Sequence, residues 1–172
     1  MSPPLRAAAP LGIHYRPFAQ DDFDFIEALY FSTREEELAL SDWPAVQKTA
    51  FLTQQHRAQH HHYTNYYPNA ERLILELGGA PIGRLYIDAW THELRIVDIS
   101  LMPSARGKGV GEAILRDVID WAGTMGKGVS IHVEKFNPAR RLYLRLGFTV
   151  AEDKGVYELM ERGVTRIPAE TL

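Results

Sequence analysis

Ile99-Ser100-Leu101-Met102-Pro103-Ser104-Ala105-Arg106-Gly107-Lys108-Gly109-Val110-Gly111-Glu112 is the stretch that decides the fold. An apolar run stops at a proline, glycines follow at alternate positions, and Ile114, Leu115, Val118, Ile119 and Ala122 then recur at helical spacing. The order is strand, glycine-rich loop, helix. Such a junction brings unhindered backbone N–H groups and the positive end of a helix to one spot, which suits a phosphate or pyrophosphate. Glycines before a helix also serve simply to turn the chain, so spacing must discriminate. A P-loop needs Lys-Ser/Thr after its last glycine, whereas here Lys108 precedes Gly109, and Val110 and Gly111 follow it. The dinucleotide fingerprint needs a glycine where Glu112 stands.

Outward from the loop, alternation predicts strands over 94–102 and, as an antiparallel hairpin about Gly78-Gly79-Ala80-Pro81, over 73–77 and 82–87. Earlier still, a strand over 13–16 precedes an amphipathic helix opened by Asp21 and Asp22, with Phe25, Ile26, Leu29 and Tyr30 on one face. Ser41 and Asp42 ahead of Trp43-Pro44 start a second helix carrying Val46, Ala50 and Phe51, which is expected to fray into the polar and aromatic stretch 55–69. Beyond the loop helix come a strand over 129–133, a helix capped by Asn137, begun by Pro138 and ended by Gly147, and strands over 148–151 and 156–160. The reading is α/β: a mixed, mainly antiparallel sheet of six or seven strands flanked by about four helices. Residues 1–11 read as a flexible N-terminal tail, 12–162 as one domain and 163–172 as a C-terminal tail.

A chain of 172 residues with 45% hydrophobic content has the length and composition for one domain with a real core. Its net charge of -3, without a basic block, speaks against nucleic acid and against a polybasic membrane anchor. Cysteine is absent, which removes disulfides, thiolate metal sites and cysteine nucleophiles. No apolar stretch approaches the ~20 residues of a membrane span, so a cytoplasmic setting is the default. His56 and His60 have metal-ligand spacing on a helix, but no carboxylate or cysteine completes a set, and no metal site is expected.

Arg106-Gly107-Lys108-Gly109-Val110-Gly111 after 99–103 resembles the cofactor loop of the GCN5-related N-acetyltransferase (GNAT) family, Arg/Gln-x-x-Gly-x-Gly/Ala. Asn137-Pro138-Ala139-Arg140-Arg141-Leu142-Tyr143, followed by Leu146-Gly147-Phe148, is similar to the same family's closing motif. The resemblance is carried by 94–148. It implies a GNAT-type acyl-CoA N-acyltransferase fold whose central strands splay near Pro103, and acetyl-CoA as co-substrate. It further implies that Ile99, Ser100 and Leu101 present backbone groups to pantetheine while Arg106, Gly107, Lys108, Gly109, Val110 and Gly111 hold the pyrophosphate. Asn137 would contact the cofactor near its reactive end or serve as helix cap alone.

The implied reaction is direct attack of a neutral primary amine on the thioester, with coenzyme A leaving as thiolate. At pH 7 an alkyl amine of pKa ~10.4 is neutral about once in 2500, a cost of about 4.6 kcal/mol. A base is therefore useful, and an acid for the thiolate. Tyr143 matches the family's general-acid tyrosine; its bland reading is a core aromatic. For the base, Glu93 has the offset from Arg106 seen in histone-type relatives, and can equally be a solvated strand end. Asp98 lies in an apolar strand and either has a role or partners an arginine. His132 takes the place of the glutamate base of ribosomal-protein-type relatives, or is structural. His56, His60, His61 and His62 with Tyr63, Tyr66 and Tyr67 fall where acceptor-facing residues are placed, and Glu35, Glu36 and Glu37 either attract a cationic acceptor or form a wet helix face. The acceptor is a small-molecule or protein amine. The last strand or the tail over 163–172 offers a homodimer edge. The alternative to an enzyme is a non-catalytic acyl-CoA-binding sensor or scaffold.

Overall fold

The computed structural model describes residues 2–164. Seven strands form one sheet: β1 (Ile13–Pro17), β2 (Glu71–Leu77), β3 (Ala80–Ala89), β4 (Glu93–Leu101), β5 (Gly128–Glu134), β6 (Thr149–Asp153) and β7 (Tyr157–Arg162). Their spatial order is β1-β2-β3-β4-β5-β7-β6. Every neighbouring pair is antiparallel except β4 with β5. A parallel pair needs a crossover, and helix α3 (Val110–Thr124) supplies it. The remaining helices are α1 (Phe23–Ala39), α2 (Ala45–Tyr66) and the short α4 (Arg140–Arg145). Among the described residues no helix is long and apolar enough to cross a membrane.

Strand alternation divides the sheet into two unlike faces. Leu73, Leu75, Leu85, Ile87, Leu94, Ile96, Val129 and Ile131 meet Val110, Ile114, Val118 and Trp121 of α3 in one apolar cluster. The alternate residues Arg84, Tyr86, Asp88, Arg95 and Ser130 are also buried, and α2 reaches that polar face through Gln59 and Tyr63. The β2–β3 hairpin turns at Gly78-Gly79 alone, both at positive φ (60° and 79°). Ala80 and Pro81 already pair with Leu77 and Glu76, and a bulge beside Pro81 accommodates the missing N–H.

Three expectations change. The second helix does not fray within 55–69; it runs to Tyr66 because Leu52, His56, Gln59 and Tyr63 form one stripe at helical spacing. That stripe docks largely through polar bonds that hydrophobic periodicity does not register. The fourth helix starts at Arg140, not Pro138: the Asn137 side chain accepts from the Ala139 N–H at 2.9 Å and folds 137–139 into a turn that precedes it. Within the segment expected as a flexible tail over 1–11, Ala7 and Ala8 are held, since Asp117 of α3 accepts from their N–H groups (2.7 and 3.0 Å) and Ala8 is fully buried. The expected C-terminal tail lies, from residue 165 on, outside the described residues.

Candidate active site

β4 and β5 pair only from Glu93 to Ile96 against Gly128 to Ile131. Beyond Ile96 the β3 ladder skips Val97, so that Tyr86 faces Asp98 while Ile87 faces Ile96. This bulge bends β4. Asp98 to Leu101 stay paired to β3, and His132 to Glu134 stay paired to β7, but the two stretches have no ladder between them. The strands splay, as expected near Pro103, and leave Ile99 to Leu101 without a strand partner on that edge, where the Leu101 carbonyl is engaged by Arg106.

A 3₁₀ turn (Pro103–Ala105) leads from β4 to the glycines. Arg106 is tied back by its Nε, which donates to the Leu101 carbonyl at 2.9 Å, and its guanidinium reaches Ser32 of α1. Gly109, at φ +77°, is the N-cap of α3 and supplies no side-chain acceptor, so the first N–H groups of the helix lack a cap. A Cβ on Gly107 or Gly109 would meet nothing within 4 Å, and one on Gly111 only Leu101 Cδ1 at 3.8 Å. The cradle is open, with Lys108 exposed beside it. Glu112, the acidic residue of this first turn, is drawn aside by Arg116 (3.1 Å) and Arg145 (3.2 Å). Open space, uncapped N–H groups and a diverted carboxylate fit a pyrophosphate here, and the free edge of β4 fits pantetheine.

Tyr143 of α4 is buried, edge-on to Phe148 at 5.5 Å. Burial, with the Asp98 charge adding to it, holds its phenol well above the ordinary value, so the hydroxyl keeps its proton. Asn137 is exposed and engaged in its own turn.

Of the residues read as candidate bases, the structure brings two to the splay. Asp98 is saturated: Arg84 Nη2 (2.9 Å) and the Tyr63 hydroxyl (2.9 Å) donate to Oδ2, and the Ser100 hydroxyl donates to Oδ1 (2.6 Å). Arg84, only 2% exposed, also donates to Gln59. The network ties α2 to β3 and β4 at the bulge. His132, one residue beyond the last β4–β5 pair, is held at Nδ1 by Arg95 (3.3 Å), which also donates to Ser130 (2.8 Å) and lies 4.6 Å over Trp90. Burial and then the Arg95 charge pull the His132 imidazole below its ordinary value, leaving it neutral at physiological pH. Glu93 opens β4 at the end away from the glycine loop, about 15 Å along the strand from Asp98, and faces Arg95 at 4.0 Å.

His56 is fully buried, shares a hydrogen bond with Glu27 at 3.1 Å and packs against Phe23 and Tyr30. It is part of the α1–α2 seam. Tyr63 joins Asp98, and Tyr67 stacks on Trp90. Arg84 and Glu134 escaped the sequence reading. A buried-parity arginine on the next strand, paired with Ser100 and diagonal to Asp98, was the available signal for the first; for Glu134, at a strand end, there was none.

The family profile described as "Acetyltransferase (GNAT) family" matches residues 33–148. The chain is 37% identical over 73 residues to streptothricin acetyltransferase of Streptomyces lavendulae, covering 41% of this chain and 39% of that one. It is 32% identical over 106 residues to mycothiol acetyltransferase of Corynebacterium glutamicum (strain R), covering 60% and 36%. The matched part therefore spans well under half the length of either relative. Among solved structures, the fold is similar to PaiA N-acetyltransferase from Thermoplasma acidophilum in complex with coenzyme A, with TM-score 0.67, 14% identity and coverage of 88% and 98%. It is also similar to YncA from Salmonella typhimurium with its cofactor acetyl-CoA, with TM-score 0.55, 20% identity and coverage of 92% and 97%.

Proposed function

The chain belongs to the acetyltransferase (GNAT) family, and from that premise we propose that residues 12–162 transfer an acetyl group from acetyl-CoA to a primary amine in the cytoplasm. The observation that carries the reading is the splay between β4 and β5, followed along the chain by an uncapped, glycine-lined helix start. In this reading the free edge at Ile99, Ser100 and Leu101 orients the pantetheine arm, and Arg106 to Gly111 hold the pyrophosphate. Asn137 Nδ2 is left to reach toward the cofactor's reactive end while Oδ1 serves the turn. Acetyl-CoA supplies the acyl group as a thioester.

Tyr143 holds the proton that the departing thiolate takes; its raised pKa keeps the phenol protonated until then. His132 is the stronger candidate for proton acceptor. It stands at the start of the splay and is neutral; Arg95 donates to Nδ1, which puts the ring proton on Nε2, so His132 takes up the amine's proton at Nδ1 as Arg95 gives way. Asp98 is spent on Arg84, Tyr63 and Ser100, and Glu93 stands too far down the strand.

Calorimetric titration with acetyl-CoA, followed by thiol release against a panel of amines, tests the reading. Binding and turnover are expected, with Tyr143→Phe lowering kcat ~100-fold or more at nearly unchanged acetyl-CoA affinity. Tight binding without thiol release from any amine would leave an acyl-CoA sensor; no binding by the folded protein would remove both readings.

A further inference from the structure

A recess of about 230 Å³ opens between α1, α2, the end of β5 and the start of β7. It lies on the polar face of the sheet: Ser130, His132 and Glu134 alternate onto that face, and Glu134 lines the recess about 7 Å along β5 from His132. The recess is thus within reach of the far end of an acceptor whose amine meets the thioester at the splay. The volume, that of about eight liquid waters, admits a short chain and no folded partner.

Two carboxylates in the recess share one cation. Arg34 binds Glu134 (3.1 Å) and Glu37 (3.1 Å), and the Tyr157 hydroxyl donates to Glu134 at 3.3 Å. One guanidinium against two carboxylates leaves one negative charge, to which the exposed Glu35 and Glu36 of the same helix add. The neighbouring Lys135 is already committed to Asp153 at 2.7 Å. Between these charges Leu38, Phe51, Leu52 and Val156 form an apolar part of the wall, beside Gln55 and Tyr157. The reacting amine has to be neutral, so the positive charge this recess attracts belongs elsewhere on the acceptor.

Resting on the acetyl-transfer reading, the geometry points to a small acceptor with two cationic groups, the reacting amine and a second ammonium or guanidinium, joined by a short apolar spacer. Glu134 and Glu37 select the second group. A carboxylate in its place is rejected, since Arg34 is already held by two carboxylates. In the transfer the thioester C–S bond breaks and an amide C–N bond forms. The proton shed by the amine is matched by the one the thiolate takes up, and the second cationic group is unchanged.

Pentane-1,5-diamine, pentylamine and 6-aminohexanoate share one spacer and differ only at the far end. With the full-length chain and saturating acetyl-CoA, kcat/KM is expected to be at least ~10-fold higher for the diamine than for pentylamine, and lowest for aminohexanoate. Glu134→Gln, and as a second variant the more exposed Glu37→Gln, should shrink that preference while leaving acetyl-CoA affinity unchanged. Calorimetric binding of the diamine alone, weakened by the same substitutions, reads the recess without turnover. Equal use of the three amines refutes this assignment and leaves acetyl transfer standing. Failure of every amine to release thiol, with diamine binding still dependent on Glu134, sinks the transfer reading instead.

Discussion

Replacing Asp98 with alanine tests the network that joins α2 to the splayed strand. The substitution leaves Arg84, 2% exposed, with Gln59 and the Tyr63 and Tyr86 rings but no carboxylate, and it strands the Tyr63 and Ser100 hydroxyls. Removing one partner of a buried, hydrogen-bonded ion pair costs ~3–5 kcal/mol. At ~2–4 °C per kcal/mol for a chain of this size, the melting midpoint should fall by ~6–20 °C. Asp98→Asn keeps the shape and loses only the charge, so its fall should be smaller. Glu112→Gln, which disturbs only exposed pairs with Arg116 and Arg145, should leave the midpoint in place. Thermal melts by circular dichroism measure the stability term, and calorimetry with acetyl-CoA measures whether the bulge still presents Ile99 to Leu101. Tyr63→Phe removes one hydrogen bond to a charged acceptor, ~1.5–3 kcal/mol, and combined with Asp98→Ala it should cost little more than Asp98→Ala alone. A midpoint for Asp98→Ala within ~2 °C of wild type, under ~1 kcal/mol, would refute the claim that this pair docks the helix.

At the cradle, Gly111→Ala should melt like wild type because its Cβ makes only an ordinary contact, whereas Gly111→Trp should abolish the heat of acetyl-CoA binding; retained binding by the tryptophan variant places the pyrophosphate elsewhere. Asp117→Ala removes the acceptor of two backbone N–H groups, each worth ~1.5–3 kcal/mol to a charged partner, so amide exchange at residues 7 and 8 should accelerate and the midpoint fall. Unchanged exchange there would show that the segment is held by other contacts. Burial pulls the His56 pKa below its ordinary 6.5, so the unfolded chain binds the proton more readily and stability should drop as pH falls through that value. In His56→Gln melts between pH 7.5 and 5.5 the drop should be shallower than in wild type; an identical slope would assign it to other groups.

What was legible in the sequence is what the backbone does locally. Pro103, the alternate glycines and the apolar stripe of α3 announce themselves within a few residues, and they located the glycine loop, its strand and its helix. The Asn137 to Phe148 segment did the same for Tyr143. The extent of α2 was not legible, because after Leu52 its docking residues are His56, Gln59 and Tyr63, whose partners lie 29, 25 and 35 residues away. Counting back from Arg106 selects Glu93, which opens β4 at the end away from the glycine loop. Which β4 residue faces the chemistry depends on where the strand bulges and where its ladder to β5 ends, and both are properties of pairing with other strands. Arg84 and Asp98 show the signal that remains readable: opposite charges at inward positions of adjacent predicted strands are too costly to bury apart, so each implies the other. In this fold that pair sits beside the bulge, which couples the helix lining the recess to the strand edge offered to acetyl-CoA. If α2 meets the acceptor and β4 the cofactor as proposed, the two sides are one mechanical unit, and a substitution on either side should be read out in both affinities.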